Sequence, residues 1–575
     1  MGFARAERSR RLPIWTTDGP ILVAILLAAF ALRVWRLDVR PLSTDEILTT
    51  LIVIGRSYRD VPIADVWSLS QLEQILTPVY GRAWADIWRT LADPEMHHAH
   101  PPLFYWLVYG WIDWIRPAAG DLVRALRIVP AMLGTIVVGL TYGLARTAVS
   151  RRAGLFAALL MATSPLGVQL SQDARNYTLP LVFIVAGLTL LVVIVRGLAR
   201  GQSPPIAIWL AWIVVNALSC YAHYFSILSV AGQAGALAVL IGAGRVRSSG
   251  RTRGRLLMPV GASLAAIAAL CLPLTAPLRA DYTRLSLDRS DNEWLRPLGG
   301  VHPIGEAFTG WLSMVAPVPN DVMPTWMLVG VVALAALAIL AVAIAARRVV
   351  TDALPAWSSP ATVVIAAYAA IVFIELLAIV YILQKDVFRY WRYHFAYFPA
   401  VLVLIATTFA AAAEGASERR RAGGFGAGLA ALLLSGLAGT VIAAFGYGFQ
   451  DAYHSRRIAS DVVAAGGPTL TVMGGDSFLT TSIGLSVARE IQQVSAPPAL
   501  FAYVPWQLHP DGTWPGTLSN PPVSPTEVWL LHRPPRQAFP QEVEVALAGT
   551  TLTCHRPGEG PRRAGLEYQR YRCRD

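Results

Sequence analysis

Long apolar runs recur along most of this chain, and they limit what it can fold into. A helix needs roughly 17 to 25 apolar residues to cross the hydrocarbon core of a membrane. Apolar residues make up 55% of the 575-residue chain and charged residues only 15%, a balance atypical of water-soluble domains. The sequence therefore predicts an all-α polytopic membrane protein with about eleven transmembrane helices, near residues 20–37, 125–147, 153–171, 177–195, 206–222, 224–243, 256–276, 325–346, 360–383, 395–413 and 424–446.

Arginine clusters between these runs indicate the orientation of the chain. The formal net charge is +12, but the clusters lie in short loops, which is typical of topology signals and not of a nucleic-acid-binding surface. The bias toward Arg, Ala and Gly, whose codons are GC-rich, favours a bacterial plasma membrane. With a cytoplasmic N-terminus, the cytoplasmic side receives the arginines of the N-terminal tail, Arg146/Arg151/Arg152, Arg196/Arg200, Arg245 to Arg255, Arg347/Arg348 and Arg419 to Arg421.

The aromatic segment Leu103 to Ile115 is the doubtful span. It is shorter than a membrane-crossing helix, and Asp113 interrupts it. Counting it as a span would move every arginine cluster from Arg146 onward to the outside, while the N-terminal tail stayed inside. We therefore expect a juxtamembrane helix at the interface.

These choices leave a first outer loop of about residues 38–124, a second of about 277–324, and a tail from 447 to 575. We divide the chain into a membrane domain, 1–446, and an extracytoplasmic domain, 447–575. The tail alternates short apolar runs with Gly/Pro turns, which predicts a small α/β domain. In an oxidising compartment Cys554 and Cys573 could form a disulfide, and the alternative is two free thiols.

The stretch Ser43-Thr44-Asp45-Glu46 places two adjacent acids just beyond the first span. It matches a capping box, in which Ser43 is the N-cap and Glu46 bonds back to its backbone amide. Glu46 could therefore serve only to start a helix. Asp45 is not needed for the cap and is available for chemistry.

Three histidines, at positions 97, 98 and 100, precede Pro101-Pro102 at the end of the first outer loop. Their spacing is crowded and no Cys/His cluster lies elsewhere, so the sequence indicates no metal or other cofactor, although a divalent ion would be compatible with it. The proline pair sets a rigid entry into the next helix and would hold His100 at the membrane edge. An ordinary interfacial histidine is the alternative.

The outer turn Ser171 to Tyr177 reads SQDARNY and contains Asp173, Arg175 and Tyr177. Asp173 and Arg175 could form a solvated ion pair of little energetic weight. Ionisable groups at membrane depth nevertheless tend to be functional, so we treat the turn as part of a candidate site.

Two further outer segments carry aromatic and charged residues. The turn YAHYF contains His223, and the segment RYWRYH contains Arg389, Arg392 and Tyr393. The aromatic belt explains Tyr and Trp at such positions, but two outer arginines oppose the positive-inside trend.

A carboxylate among several cations suits transfer from a phosphate leaving group. The base takes a proton from an incoming hydroxyl, and fixed cations stabilise the phosphate charge that grows as the sugar bond breaks. Arg33 and Arg36, at the end of the first span, are further candidate cations. A lipid-linked donor would present its phosphate at this depth.

In their order and outer placement, five motifs resemble the GT-C class of membrane glycosyltransferases. They are DE after the first span, HPPL after the first loop, SQDARNY, HYF, and RY followed by P. The resemblance is to the protein O-mannosyltransferase, lipid A aminoarabinose transferase and rhizobial lipopolysaccharide core transferase-like families, and it covers roughly residues 20–410.

This resemblance implies a hexosyl or pentosyl transferase that takes its sugar from a polyprenyl phosphate and inverts the linkage. The acceptor would be a lipid, glycan or protein on the outer face of the bilayer. Asp45 would be the catalytic base, and Glu46, its motif partner, would be the second catalytic residue. Substrate contacts would come from His100, Asp173, Arg175, Arg392 and Tyr393.

Two other interpretations stay open. A transporter or flippase of lipid-linked sugars is favoured by Glu375, an acid inside an apolar run. Transporters usually have repeated halves with a site near mid-membrane, whereas the notable charges here lie at one rim. An inactive scaffold whose tail binds cell-wall polymer is the third interpretation, and the intact DE and RY motifs argue against it.

Overall fold

The structure is a computed structural model, and it describes residues 18–61, 63, 65–92, 100–245, 250–279, 299–319, 323–351, 355–414, 419–447, 454–474, 478–494, 499–504, 524–532, 539–547, 550–558, 562–563 and 566–574. Its helices are α1 (Gly19–Val34), α2 (Thr44–Ile54), α3 (Leu69–Ile75), α4 (Trp84–Ala92), α5 (Leu103–Ile115), α6 (Leu122–Ala148), α7 (Arg151–Thr163), α8 (Pro165–Gln172), α9 (Thr178–Ala199), α10 (Ile206–Ala222), α11 (Ser226–Gly242), α12 (Gly250–Cys271), α13 (His302–Ser313), α14 (Thr325–Thr351), α15 (Pro360–Tyr381), α16 (Phe398–Glu414), α17 (Arg419–Ile442), α18 (Ser455–Val463) and α19 (Phe478–Val494).

The predicted spans coincide with apolar helices. In the described part of the chain, six helices are long and apolar enough to cross a membrane, and the bent pair α7–α8 brings the number to seven. Four shorter apolar helices, α1, α10, α11 and α16, lie at the other predicted spans. The chain is therefore a mostly helical, multi-pass membrane protein, while the count of eleven spans stays a prediction.

The predicted span 153–171 is not one straight helix. α7 and α8 meet at a bend of 56°, with Ser164 extended between them because the residue before a proline avoids the helical conformation. Pro165 has no amide to bond the carbonyl of Met161. The buried Arg33 of α1 donates to that carbonyl at 3.0 Å and to Ala162 at 3.2 Å. The SQDARNY turn follows this bend, beginning in the last residues of α8.

The tail forms a mixed β-sheet with two helices, α18 and α19. The strands lie in the order β1-β3-β2-β4-β8-β6-β5, and β7 pairs with β8. β2 is parallel to both β3 and β4, and the remaining pairings are antiparallel. The strands are β1 (Val66–Ser68), β2 (Thr469–Gly474), β3 (Ala499–Val504), β4 (Glu527–His532), β5 (Glu542–Leu547), β6 (Thr550–His555), β7 (Arg562–Arg563) and β8 (Glu567–Arg574).

A disulfide joins two strands of this sheet. Cys554 of β6 and Cys573 of β8 are direct partners in the antiparallel ladder, and their sulfurs are bonded. Of the two alternatives that the sequence left open, the structure contains the bonded one.

The tail packs directly on the segment predicted to be the first outer loop. β1, which comes from that loop, extends the sheet by pairing with β3. Ile47 and Leu51 of α2 share a buried core with Ile483 of α19. The Ser486 hydroxyl of α19 donates to the carbonyl of Leu42 at 2.8 Å. The sheet is thus shared across the predicted boundary at residue 446, and it supports the helix that carries the two acids.

Candidate functional site

α2 begins with the predicted capping box. The Ser43 side chain accepts a hydrogen bond from the Glu46 amide at 3.3 Å, and the Ser43 amide donates to Glu46 Oε2 at 3.0 Å. Both halves of the box are therefore formed. Asp45 and Glu46 are adjacent in the first turn, so their side chains leave the helix about 100° apart. That difference in direction gives the two acids different surroundings.

Glu46 is held by a buried arginine. Arg127 of α6 donates to both carboxylate oxygens, at 2.7 Å from Nε and 2.8 Å from Nη2. The amide of Ala174 adds a third hydrogen bond at 2.8 Å. Burial alone would raise the pKa of Glu46, but Arg127 outweighs it and the pKa is lowered. Glu46 is 1% exposed, so its carboxylate faces the protein interior.

The SQDARNY turn is fixed at both ends. Asp173 pairs with Arg40 at 2.8 Å, and burial raises the pKa of Asp173 despite that cation. Asn176 donates to the carbonyl of Ala222 at 3.1 Å, which ties this turn to the one that contains His223. Of the acid and arginine that the sequence could have paired in a solvated Asp173–Arg175 contact, Asp173 pairs with Arg40 instead.

Asp45 leaves the helix in a different direction from Glu46 and meets the late arginine segment. Arg392 Nη1 donates to Asp45 Oδ2. The Asp45 side chain is 27% exposed and that of Arg392 is 13% exposed. Asp45, which the cap leaves available for chemistry, is therefore ion-paired in the structure. Its accessibility distinguishes it from Glu46.

Arg175 lies beneath this pair. Its Nη1 donates to the carbonyl of Asp45 and to the Thr49 hydroxyl, both at 3.1 Å, and to the Tyr105 hydroxyl at 3.4 Å. His100 Nε2 is 3.5 Å from Arg175 Nη2, and its ring stacks on Tyr105. We call Asp45, Arg175, Arg392 and His100 the Asp45 cluster.

Aromatic rings surround the Arg392 guanidinium. Its central carbon lies 4.8 Å from the ring centroid of Tyr390, 5.6 Å from that of Tyr393 and 6.0 Å from that of Tyr177. Rings at these distances stabilise the cation through their electron-rich faces. The Asp45 cluster therefore has an aromatic wall beside its most exposed cation.

His223 belongs to this wall. Its ring lies 5.2 Å from Tyr177 and 4.9 Å from Phe395. Burial, helped by the charges of Arg175 and Arg392, lowers the pKa of His223 to about 3, so the imidazole is neutral. The Phe225 amide donates to its Nδ1 at 3.1 Å. The ring proton is consequently on Nε2, which can donate a hydrogen bond.

Two of the predicted cations, Arg33 and Arg36, lie elsewhere, and a third, Arg389, lies near α13. Arg33 bonds Ser171 at 3.1 Å as well as the carbonyls of the α7–α8 bend. Arg36 bonds the carbonyl of Ala444 and packs on Phe445. Arg389 lies near enough to Glu306 of α13 for its charge to act on that carboxylate. Two of the histidines considered as metal ligands, those at positions 97 and 98, are outside the described residues.

Several residues of the site were missed in the sequence. Arg127 could have been found, because an arginine near the start of an apolar span is costly unless it is paired. Tyr58, whose hydroxyl bonds Ser482 of α19 at 2.9 Å, gave no signal. Its partner is hundreds of residues away and comes from the tail.

The comparisons with known proteins agree with the resemblance drawn from the motifs. Residues 99–275 match the model of a family described as dolichyl-phosphate-mannose-protein mannosyltransferase. The matched segment contains His100, Asp173, Arg175, Tyr177 and His223, whereas Asp45 and Arg392 lie outside it. The resemblance to membrane glycosyltransferases is confirmed over that segment. No curated protein matches the chain.

Solved structures of two glycosyltransferases align with the chain at low identity. ArnT from Cupriavidus metallidurans bound to undecaprenyl phosphate is 12% identical, with 96% of this chain and 98% of ArnT covered and a TM-score of 0.47. The Archaeoglobus fulgidus oligosaccharyltransferase in its apo form is 14% identical, with 84% of this chain covered and a TM-score of 0.46. This chain spans 65% of the length of that oligosaccharyltransferase.

Proposed function

We propose that the chain is an inverting glycosyltransferase of the bacterial plasma membrane. It moves a hexosyl or pentosyl group from a polyprenyl-phosphate donor to a lipid, glycan or protein acceptor on the extracytoplasmic face. Asp45 is the general base, and no cofactor takes part. The family match, whose description names a dolichyl-phosphate sugar, supports the donor class.

The observation that carries this proposal is the contact between the Asp45 carboxylate and the Arg392 guanidinium, with Arg175 beside them. A base within reach of the acceptor hydroxyl and cations within reach of the leaving phosphate are the two requirements of the reaction. The Asp45 cluster supplies both from residues far apart in the chain. The partial exposure of Asp45 leaves room for an acceptor.

The ion pair also suggests an order of events. A guanidinium stabilises the charged form of a carboxylate and so weakens it as a base. A donor phosphate competes with Asp45 for Arg392, because arginine binds phosphate through several charged hydrogen bonds. When the phosphate takes the guanidinium, Asp45 becomes the stronger base. Donor binding would thereby activate the residue that deprotonates the acceptor.

The other predicted site residues take supporting roles. Glu46, first expected to be catalytic, is instead a positioning residue, since its oxygens are occupied by Arg127 and two backbone amides. Asp173 positions the SQDARNY turn through Arg40. Tyr177 and Tyr393 provide ring faces against which a sugar can pack, and His223 provides a neutral donor.

The test uses Asp45→Asn with Asp38→Asn as its matched control. Asp38 also pairs with an arginine in the first outer loop, but that pair is exposed: the side chains of Asp38 and Arg124 are 43% and 59% exposed. Membranes containing each variant receive a panel of radiolabelled polyprenyl-phosphate sugars. We expect Asp45→Asn to lower transfer by about 10²- to 10⁴-fold, as loss of a general base does. Asp38→Asn should retain activity, and full transfer by Asp45→Asn would remove Asp45 from the mechanism.

A transporter or flippase of lipid-linked sugars is the second candidate. Glu375 supports it, because the Oε2 atom of this intramembrane acid is buried and has no hydrogen-bond partner among the described residues. The same assay separates the two functions. A transferase releases free polyprenyl phosphate and labels an acceptor, whereas a flippase moves the intact donor. Loss of donor movement in Glu375→Gln, with no polyprenyl phosphate formed by the wild type, would favour transport.

A further inference from the structure

α13 packs against the segment that carries Arg392. The Trp391 ring nitrogen donates to Thr309 at 3.1 Å, and Trp311 donates to the Tyr397 hydroxyl at 2.7 Å. Between these bonds the His394 ring lies against Gly310, where any Cβ would overlap it. The outer end of this contact contains a group of side chains that the proposed reaction does not use.

That group consists of His302, Glu306 and Asp386. His302 and Glu306 are one turn apart on α13, and His302 Nδ1 lies 3.6 Å from Glu306 Oε1. Asp386 comes from the connection that follows α15. One nitrogen or oxygen atom from each of the three lies within 4.8 Å of the other two. In the described part of the chain, no other set of three His, Cys, Asp or Glu residues meets this condition.

Glu306 and Asp386 interact directly, because their carboxyl groups lie within hydrogen-bonding reach of each other. Glu306 Oε2 is buried and has no hydrogen-bond partner among the described residues. Asp386 is 1% exposed, and its Oδ1 accepts from the Phe388 amide at 3.2 Å. That bond fixes the orientation of the Asp386 carboxylate. Two carboxylates at this distance repel each other unless a proton or a cation lies between them.

We propose that His302, Glu306 and Asp386 bind a divalent first-row metal ion, with Zn²⁺ as the best match. Zn²⁺ takes one imidazole and two carboxylates at about 2.0 to 2.2 Å. Ligand atoms around such a tetrahedral ion are roughly 3.3 Å apart, close to the 3.6 Å between His302 and Glu306. A mixed nitrogen and oxygen set favours a transition metal over Mg²⁺ or Ca²⁺, which prefer oxygen alone.

The three residues differ in exposure, and this difference would let a metal ion enter the site from solvent. Asp386 forms the closed side of the site, whereas the His302 side chain is 48% exposed. Solvent can therefore reach the open side and supply the fourth ligand. The sequence gave no indication of this site, because its third ligand is distant from the other two.

The metal would join α13 to the connection that leads to Arg392. Asp386 is only six residues before Arg392. A metal ion that holds Asp386 therefore limits the positions that Arg392 can adopt beside Asp45. The site is thus a structural clamp on the donor-binding segment. Metal binding itself needs no donor and can be measured whether or not the chain transfers sugar.

Arg389 offers a competing explanation. Its charge acts on Glu306, so a guanidinium could neutralise the two carboxylates in place of a metal. In that case the site would have little affinity for Zn²⁺. The two explanations give opposite results in a binding measurement.

The experiment measures Zn²⁺ binding to the full chain in detergent after chelator treatment and dialysis. Calorimetry with ZnCl₂ alone gives affinity and stoichiometry, and the visible absorption of a Co²⁺ substitute reports the ligand set. The test variants are His302→Gln and Glu306→Gln. The control is His555→Gln, since His555 also lies beside a glutamate, 3.4 Å from Glu542, on the exposed surface of the tail.

We expect one Zn²⁺ per chain and at least a tenfold loss of affinity in both test variants, because each removes a ligand. His555→Gln should bind as the wild type does. Zn²⁺ should also raise the thermal midpoint of the wild type but not of Glu306→Gln. Absence of binding in the wild type, or equal affinity in all three variants, would overturn the proposal. Neither result decides the sugar-transfer assay, which tests the proposed function independently of metal binding.

Discussion

Asp45 and Glu46 are neighbours in the chain, and each pairs with an arginine, but the two pairs differ in their surroundings. The Glu46 and Arg127 side chains are 1% and 0% exposed, and Arg127 also bonds the carbonyls of Leu37, Arg40 and Pro41. The Asp45 and Arg392 side chains are 27% and 13% exposed. One pair is enclosed by the fold, and the other can be reached by a substrate.

This difference indicates different roles for the same interaction. A buried pair with every donor satisfied fixes the relative positions of α2, α6 and the SQDARNY turn. A partly exposed pair can exchange its partner, because a charged ligand replaces the lost contact. The four predictions below test this contrast, starting with the largest expected effect.

Arg127→Leu should destabilise the protein most. It leaves Glu46 buried without a cation, which costs about 3–5 kcal/mol in comparable cases. We expect a clear drop in the thermal midpoint in detergent, and partial recovery in the double variant Arg127→Leu, Glu46→Leu. Arg124→Leu, an exposed position on the same helix, is the control. A stable Arg127→Leu protein would show that this pair is not what fixes α2.

Arg392→Ala should weaken donor binding and leave the fold intact. Hydrogen bonds to charged groups contribute about 1.5–3 kcal/mol, so we expect roughly a 10- to 100-fold loss of affinity for a polyprenyl-phosphate sugar. Arg124→Ala serves as the control. An unchanged donor affinity, measured by equilibrium binding in detergent, would exclude a phosphate-binding role.

Lowering the pH should destabilise the protein, because it protonates Glu46 of the buried pair. The pKa of Glu46 is lower in the folded chain than in the unfolded chain because of Arg127. Its contribution to stability is therefore complete above about pH 4.3, the usual value for glutamate, and is lost as the pH falls through the folded pKa. Between about pH 4.3, the usual pKa of glutamate, and the folded pKa of about 2, Glu46→Gln should lose less of its thermal stability than the wild type. Parallel losses would contradict the assignment.

Ser482→Ala should have the smallest effect. It removes the hydrogen bond between the tail and Tyr58, which contributes about 1 kcal/mol. We expect a small decrease in the thermal midpoint and unchanged donor affinity. Ser70→Ala, which removes an exposed hydroxyl contact of the first loop, is the control. A large loss of donor binding in Ser482→Ala would mean that the tail shapes the site directly.

Much of the architecture could be predicted from the sequence, because apolar run length reports directly on membrane helices. The helix Leu103–Ile115 has the predicted ends, and the capping box at Ser43 formed as expected. The bend at Ser164-Pro165 was missed, although proline gave a signal for it. The contribution of β1 to the tail sheet could not be predicted, since its partner strand is distant in sequence.

For the candidate site, the sequence supplied the polar segments but not their pairings. Asp45, Arg175 and Arg392 were expected together and are in contact. Arg33 and Arg36 were expected beside them and instead bind backbone carbonyls near α7–α8 and α17. The positions of apolar runs and arginine clusters predict on which side of the membrane a charged residue lies. They do not predict which neighbour its side chain contacts.

The sequence by itself determined that this chain is a helical membrane protein with a group of acids and arginines at the predicted outer rim. Local rules suffice for that, because hydrophobic length and helix capping depend on residues a few positions apart. Only the tertiary structure decided that Glu46 is enclosed with Arg127 while Asp45 meets Arg392. That choice depends on which distant helices pack against each side of α2, and it separates a structural acid from a candidate catalytic one.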